Sequence, residues 1–164
     1  MLSPPGHTYL VNALLHTPAL LQTLLLPVPE SSPVWDVRPD TDRFSLREIV
    51  AHLADWDDVW QERFARTRAE TVPLLLRPDL AERAIECGYA FVDPQDALTR
   101  FAQKRLTLVE GLKIVSEADT HRVANLDRMG EMSLTGVVSL VLAHDAYHVR
   151  QVAEWLADSA ALRE

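Results

Sequence analysis

Apolar residues recur at three- and four-residue steps in four long segments of this chain, and no segment sustains the alternation of a strand. This spacing gathers apolar side chains on one face of a helix. The four predicted helices run from about Thr8 to Leu26, from Ser45 through Trp60, from about Pro94 to Ser116 and from about Ser133 to Ala157. Four amphipathic helices with long irregular connections predict an all-α fold, a four-helix bundle.

The start of the second helix is the best marked. Ser45 is followed three residues later by Glu48, which predicts a capping box, in which each side chain accepts a hydrogen bond from a free backbone N–H of the first turn. Pro18 is expected to break or kink the first helix, because proline lacks an N–H and clashes with the preceding turn.

Two connections are long enough to carry structure of their own. Residues 67–94 form a mixed segment in which we expect a short helix from about Asp79 to Glu86, closed by Gly88. Such a segment serves either as a functional lid or as a packed cover over one end of the bundle. Residues 116–133 are polar and resemble a hairpin, but their alternation is too short to predict a strand pair.

Three histidines lie on the apolar stripes of two helices. His144 and His148 stand one turn apart in the segment LVLAHDAYHVRQVAEWL, and His52 lies in SLREIVAHLADWDDVW. Residues four apart share one helix face at about 5–6 Å. Three imidazoles that point into one bundle core therefore predict a divalent metal site.

A site with three neutral imidazole ligands leaves the ion its full charge and an open position, which is typical of catalytic zinc. Zinc, nickel and iron all accept imidazole, so the ligands do not select the metal. The alternative is that the histidines are hydrogen-bonded core residues. A shared ion would be impossible without rearrangement if the ring nitrogens of His52 lay more than about 5 Å from those of His144 and His148.

Helical phase predicts where the residues around the histidines lie. Gln151 lies three positions after His148 and Asp55 three positions after His52, so both are expected at the rim of the site, where they could orient a ligand or a bound water. Asp145 and Tyr147 are expected on flanking faces. No paired catalytic carboxylates, Ser-His-Asp order or phosphate-binding loop is recognisable.

Composition narrows the class of protein. The 164 residues predict one domain, 1–164, and the formal charge of −8 argues against a nucleic-acid-binding surface. A single cysteine, Cys87, excludes an intramolecular disulfide and fits a cytoplasmic protein. No apolar run has the length of a membrane span, and the N-terminus lacks the basic region of a signal peptide.

The segments SLREIVAHLADWD and LAHDAYHVRQVAEWL, together with the spacing of Phe101, Lys104, Arg105 and Leu108, resemble the DinB-like superfamily. The resemblance implies an up-down-down-up four-helix bundle with long crossover connections. It also implies a divalent metal held by the counterparts of His52, His144 and His148, a glutamine at the position of Gln151, and frequent homodimers.

The resemblance implies less about activity. The leading expectation is a transferase of the detoxifying kind, which uses a bacillithiol- or mycothiol-type thiol to attack an electrophilic small molecule. A metal-dependent hydrolase that ionises water is the alternative enzyme. A third class is a non-enzymatic binding or stress-response module, in which the metal is structural.

Overall fold

A computed structural model describes residues 4–38 and 40–161 of the chain. The helices of this part are α1 (Pro4–Ala13), α2 (His16–Leu25), α3 (Leu46–Ala69), α4 (Leu80–Glu86), α5 (Pro94–Lys113), α6 (Glu117–Thr120) and α7 (Leu134–Ala161). The strands are β1 (Leu74–Leu75), β2 (Val123–Leu126) and β3 (Gly130–Ser133). Single 3-10 turns occupy Pro33–Asp36 and Tyr89–Phe91.

The four-helix bundle is confirmed, with α1 and α2 together forming its first helix. The helix α3 packs against α5 and α7, and α1 and α2 pack against the same two helices. The helices α5 and α7 therefore face each other across the diagonal of the bundle. A core of leucine, valine and aromatic side chains fills the space between them.

The first predicted helix is divided, but not at Pro18. The chain bends at Leu14 and Leu15, and Pro18 lies in the first turn of α2. A proline is tolerated there, because the N–H groups of the first turn have no partner within the helix. The kink expected at Pro18 was therefore placed too late in the chain.

The capping box at the start of α3 is confirmed. The Ser45 hydroxyl accepts from the Glu48 N–H at 3.3 Å, and a Glu48 carboxylate oxygen accepts from the Ser45 N–H at 2.8 Å. This cap fixes the first turn of the helix that carries His52. The predicted short helix is likewise present as α4, capped by Asp79, and Gly88 follows it with a left-handed φ of 62°.

A small sheet was not predicted. The strands β2 and β3 form an antiparallel hairpin in which Val123 pairs with Ser133, and β1 joins β2 in parallel. The turn of this hairpin holds Arg128 at φ 63° and Gly130 at φ 81°. Strands of two to four residues leave too little alternation to be read from the sequence.

The described residues contain no helix that is long and apolar enough to cross a membrane. The single domain predicted for residues 1–164 extends beyond the described part, since residues 1–3, 39 and 162–164 lie outside it. It stays a prediction.

Candidate metal centre

The three predicted histidines lie together between α3 and α7. His52 comes from α3, and His144 and His148 come from successive turns of α7. One nitrogen of each ring lies within 4.8 Å of the others, and the Nε2 atoms of His52 and His144 are 3.0 Å apart. This separation is inside the 5 Å limit that a shared ion requires.

The protonation of the histidines suits metal binding. His52 and His148 are buried, with 2% and 6% of their surface exposed, while His144 is partly exposed. Burial, reinforced by His148 and His144, holds the pKa of His52 well below its ordinary value. Burial and His144 lower the pKa of His148 to about 3. Both imidazoles are therefore neutral near pH 7, the form that donates a lone pair to a metal.

Gln151 orients one of the three rings. Its side-chain oxygen lies 3.1 Å from Nδ1 of His148 and is itself buried. Because a carbonyl oxygen only accepts, the proton of His148 is on Nδ1, and the lone pair of Nε2 is left for a ligand. Gln151 thus lies where a residue supporting a metal ligand is expected, although its role toward a metal stays a prediction.

The other two rings have a buried nitrogen without a hydrogen bond. Nδ1 of His52 and Nδ1 of His144 are both enclosed and unpartnered among the described residues. The closest carboxylate oxygen to the latter, Oδ1 of Asp145, is 3.8 Å away. These two rings are held by packing instead, since the ring of Trp56 lies 4.8 Å from that of His52 and stacks on that of His144 at 6.2 Å.

Asp55 lies beside the histidines but contacts a different group. Its carboxylate accepts from Tyr89 Oη at 2.5 Å and from the Arg83 guanidinium at 2.5 and 2.9 Å. These bonds fasten both α4, which carries Arg83, and the turn at Tyr89 to α3. The ring of Tyr89 lies 6.0 Å from that of His52. Asp55 therefore reaches the site through Tyr89, and its predicted support of the metal ligands stays a prediction.

A buried charge network beneath the histidines was missed by the sequence reasoning. Arg105 of α5 donates to Asp57 of α3 at 2.9 and 3.0 Å and to both oxygens of Asp145 of α7, so it joins three helices across the diagonal of the bundle. All three side chains are almost fully buried. Asp145 was expected on a flanking face of the helix, and this was wrong, because it is buried. Tyr147 was expected on a flanking face too, and it is half exposed, as expected.

The signal for this network was present in the sequence. Asp145 sits within the apolar stripe next to His144, and Arg105 lies on the inward register between Phe101 and Leu108. A charged residue at an inward position requires a buried partner of opposite charge. Burial raises the pKa of Asp57 to about 6 despite Arg105. Burial also acts to raise the pKa of Asp145, but the neighbouring His144 and the Arg105 guanidinium together lower it.

The histidines form part of the wall of a cavity of about 470 Å³. Most of its lining is apolar and aromatic, including Phe44, Trp56, Trp60 and Tyr147. Pockets of this size hold small organic molecules. A ligand in this cavity would therefore be adjacent to any ion bound by the three histidines.

The comparisons with known proteins agree with this architecture. A solved structure, YfiT from Bacillus subtilis, matches with a TM-score of 0.88 at 18% sequence identity, over 98% of this chain and 91% of that chain. YfiT is described as a probable metal-dependent hydrolase with an unusual four-helix bundle topology. No curated protein sequence matches this chain. The family model of the DinB superfamily matches residues 13–152, and the chain therefore belongs to the DinB superfamily.

Proposed function

We propose that this protein is a metal-dependent enzyme in which His52, His144 and His148 bind one divalent ion at the wall of the substrate cavity. The observation that carries the proposal is the convergence of three ring nitrogens within 4.8 Å from two helices. Side chains from facing helices are the usual source of metal ligands in bundles.

The donor set fits such an ion. Nitrogens bound to zinc at 2.0–2.1 Å with tetrahedral angles lie about 3.3 Å from one another. The 3.0 Å between the Nε2 atoms of His52 and His144 is close to this value. The triad spans at most 4.8 Å between ring nitrogens, which exceeds this value by about 1.5 Å, so the rings would have to move closer together to bind the ion. Zinc, nickel and ferrous iron are all candidates, because each accepts imidazole.

The residues around the triad would prepare the reaction. Gln151 fixes the tautomer of His148, and Trp56 holds the rings of His52 and His144 in place. The aromatic wall would keep bulk water away from a bound substrate, which strengthens electrostatic interactions in the cavity. A divalent ion with three neutral ligands would supply Lewis acidity and lower the pKa of the molecule in its open coordination position.

Hydrolysis, with water as the nucleophile, is the activity that we place first. The likeness to YfiT, which is described as a probable metal-dependent hydrolase, supports this choice. Thiol transfer is the second candidate and uses the same open position. The apolar lining of the cavity favours it, because a thiolate is less strongly hydrated than a hydroxide and loses less on entering such a site.

The first experiment measures metal binding by calorimetry: zinc, nickel and ferrous iron are each titrated into the metal-free protein. We expect about one equivalent to bind to the natural protein and none to His144→Ala/His148→Ala. Failure of all three metals to bind the folded natural protein would refute the proposal.

The second experiment distinguishes the nucleophiles in the reconstituted protein. Metal-dependent cleavage of p-nitrophenyl acetate without a thiol would support hydrolysis. Metal-dependent reaction of 1-chloro-2,4-dinitrobenzene only after addition of cysteine would support thiol transfer. A metal that raises the melting temperature but activates neither reaction would favour the non-enzymatic module. The size-exclusion mass of the same preparation would test the homodimer that the family resemblance implies.

A further inference from the structure

The cavity beside the histidines is lined by more positive than negative residues. Four arginines reach it against two aspartates, Asp42 and Asp127, although the chain as a whole carries a formal charge of −8. The four arginines are Arg43, Arg63, Arg77 and Arg128. An acidic protein with a cationic cavity favours a ligand of negative charge, because the field inside a cleft is set by its own walls.

Two of these arginines are already close to acids. Arg43 lies 3.7 Å from Glu154 and stacks over Trp155, and Arg128 lies 4.0 Å from the neighbouring Asp127. Their charges are thus partly balanced within the protein. Arg63, which is buried, and Arg77, which is exposed, form no ion pair among the described residues.

Arg63 is the most unusual of the four. It is 8% exposed, and no carboxylate of the described residues lies within ion-pair distance of it. Its Nη2 donates to the Leu76 carbonyl at 3.2 Å, which uses one of five N–H groups. Burial lowers the pKa of Arg63, an effect that Glu62 opposes and the nearby Arg77 reinforces. The guanidinium stays protonated even so.

Arg105 provides the comparison, because it and Arg63 are the two buried arginines of the described residues. Arg105 is neutralised by two aspartates. A buried cation without a counter-ion is costly, and a bound anion would remove that cost. Arg63 differs from Arg105 in lining a cavity that such an anion could enter.

The position of Arg63 relates it to the metal centre. His52, Trp60 and Arg63 lie on one face of α3, and the ring of Trp60 contacts both the Arg63 guanidinium at 4.8 Å and the His144 ring at 5.9 Å. Eleven residues of helix separate the Cα atoms of His52 and Arg63 by about 16 Å. A ligand that reaches both has to be elongated.

We propose that the substrate is a small elongated molecule with an oxyanion at one end, which Arg63 binds with help from Arg77 while the reacting group lies at the three histidines. Guanidinium groups bind carboxylates and phosphates through two parallel hydrogen bonds, so either group fits. This inference rests on the proposed function in one respect, which is that the bound anion is called a substrate. Binding of the anion by Arg63 does not depend on it.

The test uses the metal-free protein, so that anion binding is measured without metal or turnover. Calorimetric titrations compare hexanoate with hexanamide, which has the same chain but no charge, and with inorganic phosphate. We expect hexanoate to bind at least about tenfold more tightly than hexanamide. Tighter binding of inorganic phosphate than of hexanoate would assign the site to phosphate esters. Equal binding of the acid and the amide, with no binding of phosphate, would overturn the proposal.

Variants locate the binding group. Arg63→Gln is expected to weaken binding of the preferred anion at least about tenfold, and Arg63→Lys, which keeps the charge but not the paired hydrogen bonds, by less. The matched control is Arg66→Gln on the same helix, whose guanidinium is paired with Glu70 and does not line the cavity. Equal effects of the Gln variants at 63 and 66 would overturn the proposal. If Arg63→Gln does not fold, the natural protein and Arg63→Lys still decide it.

Discussion

The Nε2 atoms of His52 and His144, which are 92 positions apart in the sequence, lie 3.0 Å from each other. Two lone pairs cannot face each other at this distance without a proton or a cation between them. In the metal-free protein one ring therefore donates its N–H to the other. A divalent ion could replace that proton with only small movements of the two rings. The pair is therefore already arranged to supply two of the three metal ligands.

Metal addition should stabilise the protein through His52 as well as through the pair on α7. A ligand that binds only the folded state at a thousand times its Kd stabilises by about 4 kcal/mol. We expect zinc to raise the melting temperature of the natural protein and of His121→Ala, an exposed histidine outside the triad. His52→Ala should lose most of this rise, as measured by differential scanning calorimetry. An undiminished rise in that variant would remove His52 from the site.

Gln151 should control metal affinity without touching the ion. Gln151→Leu removes the acceptor for Nδ1 of His148, and loss of such supporting bonds weakens metal binding by about 10- to 100-fold. Gln151→Glu keeps an acceptor at the same place and should retain most of the affinity. Competition with a chelating dye measures both constants. If the two variants bind equally well, the hydrogen bond has no part in metal binding.

The metal-free protein should lose stability in acid through His148. Its pKa is lowered to about 3, while an unfolded histidine titrates near 6.5, so the unfolded chain gains the proton first. The stability is complete above pH 7 and is lost progressively from pH 6.5 toward pH 3. Between pH 7.5 and pH 5 this loss is about 2 kcal/mol for one histidine.

His148→Leu removes this titration and keeps an apolar side chain in the site. Urea unfolding at the two pH values should therefore show a smaller loss in the variant, by about 2 kcal/mol. His52 is present in both proteins and contributes to both losses in the same direction. Identical pH dependence in the two proteins would mean that His148 takes up a proton in the folded state.

The buried network should be sensitive to the loss of its cation. Arg105→Met leaves Asp57 and Asp145 buried without a counter-ion, and removal of one partner from such a group costs about 3–5 kcal/mol. Arg100→Met, at an exposed position of the same helix, should change the free energy of unfolding by less than about 0.5 kcal/mol. Chemical denaturation of both variants gives the comparison, and similar small losses would show that the network contributes little.

The sequence by itself determined the long helices, their amphipathic faces and the cap at Ser45. It also determined that His144 and His148 share one face of α7. The amphipathic faces and this histidine pair both follow from 3.6 residues per turn. These are local properties, because neighbours along a helix are fixed by backbone geometry whatever the helix packs against. Helical phase also put His52 on the apolar stripe of its own helix, and the family resemblance supported its grouping with this pair.

Tertiary structure alone decided which side chains meet between helices. The rotation of α3 against α7 brings His52 to His144, and the packing of α5 diagonal to α7 brings Arg105 to Asp145. Such contacts depend on how side chains from different helices interlock, and no periodicity encodes that. The burial of Arg63 without a carboxylate partner likewise depends on tertiary packing. The free-energy cost of a buried charge is set by all the groups around it, and these come from several parts of the chain.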